Sequence, residues 1–448
     1  MRKILFLWLL PVMTWGQNAS VLKVQQGVRF TSFSMTTQNG LFGPHAALTD
    51  YYANAVGLDY LLHAKKGKWR FDTEVYSSAL VFGNPWELDP LTSKTSRYEG
   101  GLFAVNAKER RVVVVPSIAE LTYLGDRFKM GFGNFALEGT FLNMEHGRMI
   151  PSTFTGLHLD WKQGQWKYTF AAISHVGARS TSGFKTVANS LAQYNPGLDT
   201  SGSRHDKSQV ETPGILYFSG KNTHVFKQWY GSMTAEYYGL PGVFHTVVWD
   251  EKLAHNQHLI QLQYIRQEKW GNGGNADPYL AYFQQQRSQY FGLKYSNKVG
   301  DVDYYSAISH IDGNGKLLFP REWGREYLVT FQGRERQEGM GRTTAIVFGA
   351  SGKWQQGKVG HNGGVSTGIY VRPEPGNYKY NKYAMPSNQQ TNVWWGQQWK
   401  GGTHKLLAML VYKVPLGSQT ITAGQTINKV DMVNINLIYR YQPRLFQK

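Results

Sequence analysis

Apolar and polar side chains alternate singly along most of this 448-residue chain. In Trp69-Arg70-Phe71-Asp72-Thr73-Glu74-Val75, one face holds Trp69, Phe71 and Val75 and the other holds Arg70, Asp72 and Glu74. Leu157 to Trp161, Ile260 to Tyr264 and Val433 to Arg440 repeat the pattern, the period of two expected of β-strands. Alternation alone fits a soluble sandwich as well as a membrane barrel. The connections discriminate between them. Short turns at Lys65 to Lys68, Gly125 to Asp126, Gln163 to Gln165, Lys298 to Asp301 and Gly401 to Gly402 alternate with long excursions over 36–54, 81–111, 135–154, 176–212, 270–286, 312–341, 372–390 and 415–426. Tight turns on one rim and long loops on the other predict an outer-membrane barrel of roughly 16 to 18 strands. Closure into a ring of that size implies an aqueous lumen and removes the sheet edges.

Residues 1–16, MRKILFLWLLPVMTWG, have the layout of a cleavable secretory signal. Arg2 and Lys3 precede the apolar run Ile4 to Leu10, and Thr14 and Gly16 are the small residues before a cut at Gln17. Residues 17–448 are then expected to form one barrel domain, since no domain boundary, repeat or low-complexity linker interrupts them. No mature segment approaches the roughly 18 apolar residues that would predict a transmembrane helix. Tryptophans and tyrosines gather near strand ends, as in Trp161 and Trp166, Trp394, Trp395 and Trp399, and Tyr439 and Tyr441. That placement suits an interfacial girdle.

Composition sharpens the picture. The chain has no cysteine, so disulfides and thiol chemistry are excluded although an exported protein could keep disulfides. Without Arg2 and Lys3, 46 basic residues face 30 acidic ones. A basic exported protein meets anionic lipids, glycans or solutes more readily than nucleic acid.

The densest charge lies between Asp312 and Arg342, where Lys316, Arg321, Arg325, Arg334, Arg336 and Arg342 stand among five acids. Phe319, Trp323, Tyr327 and Phe331 would anchor the segment while its guanidinium forks stay available to carboxylates. A salt-bridged surface loop is the plainer reading. The thirteen histidines show no HExxH or GxSxG context, so no enzyme is expected. His158 is expected to be a lumen-facing polar residue, and His245, His255 and His258 have no carboxylate set suited to a metal. No cofactor is expected.

Phe319 to Glu326, FPREWGRE, with Arg334 to Gly339 following, resembles the signature of the OprD family of substrate-specific outer-membrane porins. Three further stretches agree in order and spacing: Gly147 to Gly156 with the third-loop element, Asn381 to Ser387 with "NKY.MPS", and Asn428 to Met432 with "NKVDM". The resemblance covers nearly all of the mature chain. It implies an all-β fold, a single transmembrane antiparallel barrel of 18 strands, monomeric or loosely trimeric, whose third and seventh loops fold inward to narrow the pore. It also implies a ladder of basic residues that leads small carboxylate-bearing solutes through, carried over here to Arg148, Arg321, Arg325, Arg334 and Arg336. Arg29 and Arg70 join them on different grounds, because they alternate with Val28 and Phe30 or Trp69 and Phe71 and so should face the lumen. Glu322 and Glu326 are the candidate acids for pinning the loop.

The resemblance thus implies an outer-membrane protein of a Gram-negative bacterium, in contact with lipid and lipopolysaccharide. It would pass small anionic or zwitterionic solutes such as amino acids, small organic acids or peptides. The alternative is a β-rich glycan-binding protein or adhesin without a pore. Two departures stand out. The chain continues past Tyr441 to Lys448 instead of ending on a terminal aromatic, and the seventh-loop charges nearly cancel.

Overall fold

The computed structural model describes residues 21–443 and 446–447, apart from 41–48, 92, 97, 104–111, 145–146, 192–196, 204–208 and 418–429. The expected signal at 1–16 lies outside the described residues, as do Asn428 and Lys429.

Eighteen antiparallel strands close into a barrel. The first, Lys23–Asn39, pairs with Tyr51–Lys66 on one side and with the last, Met432–Tyr441, on the other. Each remaining strand pairs with its sequence neighbours. The three-residue strand Phe184–Thr186 adds to the loop end of Trp166–Gly177, and Val187–Ser190 makes one helical turn capped by the Thr186 hydroxyl. Past Tyr441 the chain does not trail away: Phe446 and Gln447 pair with Gln26 and Gln25, extending the seam toward the short-turn end.

Alternation sorts the two faces. Leu58, Phe132, Leu157, Phe291, Phe348, Ile369 and Ile435 point outward and are exposed, forming the apolar band a bilayer requires. Their neighbours, including Asp59, Asp72, His158, Gln263, Gln267, Asn434 and Asn436, point inward and are buried. Trp161, Trp395 and Tyr441 lie exposed on the outer face near the short-turn rim, whereas Trp394 takes the inward face and covers Gly364.

All eight of the expected long excursions leave the same rim, and the short turns, the start of the first strand and the end of the last lie at the other. A ninth connection on the long-loop rim is only three residues, 241–243. At that end the loops fold into the lumen, as the resemblance implies. Loop residues Leu142, Val187, Phe319, Trp323, Met340 and Met385 pack with inward strand residues Tyr238, Phe244, Val248, Ile265 and Tyr290 in one apolar cluster. Tyr238, Phe244, Ile265 and Tyr290 give the loops an apolar inward surface to bury against near this rim.

Candidate functional site

The seventh connection on the long-loop rim, 312–342, is held inside the barrel by side chains that the strands present inward. Gln267 Nε2 donates to the Leu318 carbonyl, while its Oε1 accepts from Leu318 N at 2.9 Å. Gln263 Nε2 donates to the Tyr327 carbonyl at 3.0 Å, Tyr370 Oη to the Thr330 carbonyl at 3.0 Å, and Gln390 Nε2 to the Gly333 carbonyl at 2.7 Å. The loop's own backbone thus exchanges solvent for fixed partners on three strands, His258–Lys269, Val359–Val371 and Asn388–Trp399. Phe319 stacks on Phe141 with ring centroids 4.1 Å apart, and buried Trp323 donates its indole N–H to Ser190 Oγ at 2.7 Å.

The third connection joins it. Asn143 Oδ1 accepts from Arg325 N at 2.9 Å, and Asn143 Nδ2 donates to the Arg325 carbonyl at 2.9 Å. Gly324 sits against Phe141 so closely that a Cβ there would lie 2.5 Å from the Phe141 carbonyl oxygen. The fourth connection completes the assembly: its Arg179 N donates to the Glu322 carbonyl at 3.2 Å, alongside Ser152 Oγ of the third connection at 2.8 Å. The eighth is locked on by Glu338, which accepts from Lys382 Nζ at 2.8 Å and from Tyr383 Oη. Lys382 and Tyr383 are part of the "NKY.MPS" stretch, whose Asn381 and Ser387 brace the turn and Arg372.

Several guanidinium groups converge here. The charges of Arg334, Arg321 and Arg148 all act on the hydroxyl of Tyr98, which burial pushes up to about 12. Arg334 also feels Arg179 and Arg325, and burial lowers it to about 10. It donates to Asn434 Oδ1 at 3.1 Å and to Asn436 Oδ1 and lies over the Tyr98 ring. Arg325 covers Phe331 at 4.4 Å, and Arg148 lies against Gly101. Arg336 is buried over Tyr383 at 3.9 Å.

The acids hold the loop in shape. Glu326 Oε2 accepts from Gln337 N and Glu338 N at 3.2 and 3.1 Å, while Oε1 stays 3.9 Å from Arg321 Nε, beyond hydrogen-bond reach. Burial outweighs Arg321 and raises Glu326 to about 7. Glu322 is buried and contributes its carbonyl as described. Glu335 accepts from Arg372 Nη2 at 2.7 Å, Asn388 Nδ2 at 2.9 Å and Arg336 N at 2.7 Å, with Lys413 Nζ 3.1 Å away but poorly aligned. Burial opposes its charge, yet Lys413 and Arg372 prevail and hold it below the usual carboxylate range.

Arg29 and Arg70 face inward but lie on the wall, away from this assembly, each in an ion pair: Arg29 with Asp59 at 2.9 Å and Arg70 with Asp72 at 2.6 Å. His158 also faces inward and meets Glu120 at 2.6 Å. His245, His255 and His258 take separate partners, Glu268, Gln228 and Tyr295. Sequence reasoning missed Arg179, which sits in a stretch with no motif, and Tyr98, the ring that Arg334 covers.

No family model matches the sequence, and no curated protein does. Solved structures do match. Acinetobacter baumannii OccAB3 aligns with TM-score 0.67 at 10% identity, over 95% of this chain and 99% of that one. The chain has an OprD-like porin fold. Pseudomonas aeruginosa OccK8 (OprE) aligns with TM-score 0.66 at 11% identity, and a BenF-like porin from Pseudomonas fluorescens Pf-5 with 0.65 at 9%, each over 94% of this chain and 98% of its own. The inward loops hold Arg325, Arg334 and Arg336 inside the barrel instead of on its outer surface.

Proposed function

We propose that the protein is an outer-membrane porin, exported through a cleavable signal, that lets small carboxylate-bearing solutes diffuse through the loop constriction. The carrying observation is a set of arginines held by the inward loops of a closed barrel, Arg334 over Tyr98 at 5.7 Å, Arg325 over Phe331 at 4.4 Å and Arg148 beside Gly101, with Arg148, Arg321 and Arg334 all within electrostatic reach of Tyr98. Guanidinium groups fixed by rings and amides offer an anion partial replacement for its water, and several weak sites in series let it leave again. Glu322 and Glu326 pin the loop and keep its arginines facing the passage. Arg336 supports the assembly from behind. Arg29 and Arg70, each neutralised by an aspartate, shape the wall below. Diffusion of this kind needs no cofactor and no covalent chemistry.

Reversal potentials of the purified protein in planar bilayers under a salt gradient test the reading. Arg321→Ala, Arg148→Ala and Arg179→Ala are each expected to move the potential toward that of a non-selective pore. Parent-like potentials in all three would overturn the assignment of the constriction.

A further inference from the structure

The constriction accounts for little of the chain's positive charge. The nine connections on the long-loop rim contain 20 basic and 18 acidic residues. At the opposite rim the balance is different. The eight short turns, with four strand residues on either side of each, contain 15 basic residues and 5 acidic ones. Most of the surplus therefore lies where the strands turn tightly.

Register shows which way these side chains point. Lys405 lies opposite Gln398 and Arg440, and Arg440 lies opposite inward Thr31. Gln398 borders Gly360 beside Gln355, on the face that also carries Lys353. Lys252 stands opposite Gln261, two residues from the Gln263 that grips the seventh loop. Lys162 and Lys167 face each other on the side of His158, and Lys65 pairs across to inward Arg70. All of these look into the lumen, while the alternate residues Trp161, Trp354 and Trp395 look outward and are exposed. The lysines are exposed. None of Lys65, Lys162, Lys252, Lys353 or Lys405 forms a salt bridge with a described residue, in contrast to Arg29, Arg70 and Lys129, which all do.

We propose that the short-turn mouth is a lysine collar, a second anion-collecting zone separate from the arginine constriction, acting most strongly on small solutes with two or more negative charges. This rests on the porin reading. The two zones differ in chemistry. The constriction uses planar forks fixed by partners, whereas ammonium groups are compact, hydrated and mobile on long stems. The collar therefore concentrates anions through its field without fitting them. A field acts in proportion to charge, so a dianion is enriched by the square of the factor for a monoanion. Screening limits its reach to about 10 Å at 0.1 M salt and about 3 Å at 1 M.

The absence of cysteine makes the field measurable. Gln398→Cys introduces a single thiol on the collar face. Its modification rates with anionic and cationic methanethiosulfonate reagents are compared with those of free cysteine, in protein whose channel conductance in 1 M salt is first shown. A potential of about one kT per charge separates the two reagents by roughly tenfold. That preference for the anionic reagent is expected at low salt, vanishes in 1 M salt, and falls several-fold when Lys353 and Lys405 become Gln, together or singly should the pair fail to fold. A conducting pore whose thiol shows free-cysteine ratios at low salt, or ratios indifferent to the glutamine substitutions, overturns the collar. A parent protein without conductance overturns the porin reading instead.

Discussion

Replacing Glu335 by Gln tests how the seventh loop is held. The carboxylate accepts from Arg372, Asn388 and the Arg336 amide and lies 3.1 Å from Lys413, and the side chains of Arg372 and Lys413 are 0% exposed. An amide keeps one acceptor but turns its NH2 toward cations and leaves two buried charges without an anion. Breaking a buried pair in this way costs about 3–5 kcal/mol. At about 1.4 kcal/mol per tenfold, the undocked population rises by a factor of roughly a hundred to a few thousand. The loss falls on loop docking, because Glu335 lies outside the strand ladder. Glu335→Gln is expected to show larger, noisier single-channel openings and faster tryptic cleavage after Arg334 or Arg336, while keeping the parent's heat-modifiable migration on gels. Lys413→Met should have the smaller effect, since Arg372 still neutralises the acid. Parent-like noise and protease resistance in Glu335→Gln would refute the reasoning.

Two buried groups give the loop a pH response with opposed arms. Glu326, raised to about 7 by burial against Arg321, holds a proton in the fold that the unfolded chain loses above 4.5, so docking weakens as pH rises from 4.5 to 7. Lys316, lowered to about 7 by burial and then by Lys382, lacks a proton that the unfolded chain keeps up to 10.5, so docking strengthens as pH rises from 7. Hydrogen exchange of residues 317–340, corrected for intrinsic rates, should therefore be fastest near pH 7. Glu326→Gln should flatten the acid arm and Lys316→Met the alkaline one; a monotonic profile in the parent would contradict both. Gly324→Ala pushes a methyl onto the Phe141 carbonyl and is expected to cost about 1–3 kcal/mol of loop packing. Its measure is earlier loss of Trp323 fluorescence on heating, with barrel migration unchanged.

The barrel was legible because a wall between lipid and lumen forces alternation on every strand, and Trp69 to Val75 or Val433 to Arg440 display it openly. Turns were legible at most of the places where glycine marks them, though the one at Gly357-Lys358 went unnamed. Those at Lys227-Gln228 and Asn256-Gln257 were not, since Lys227 and Asn256 themselves take the positive φ that glycine would advertise. The three-residue connection 241–243 escaped notice because a short link on the long-loop rim breaks the rhythm of the others. Among the inward loops, the motif arginines could be named, but their partners could not. Asn434 and Asn436 appear in sequence only as inward polar positions, and their grip on Arg334, about a hundred residues away, is a product of closure.

The seam has a consequence for assembly. Gln25 and Gln26 meet Gln447 and Phe446, so the ring is completed by residues from its two ends. Bringing points more than 400 positions apart together costs about 5 kcal/mol of chain entropy on the logarithmic scaling of loop closure. Until that happens, Lys23–Asn39 presents an open edge ready to accept any extended peptide. Assembly of this barrel is therefore an end-joining event, and whatever escorts the nascent sheet must shelter that first strand until the last one arrives.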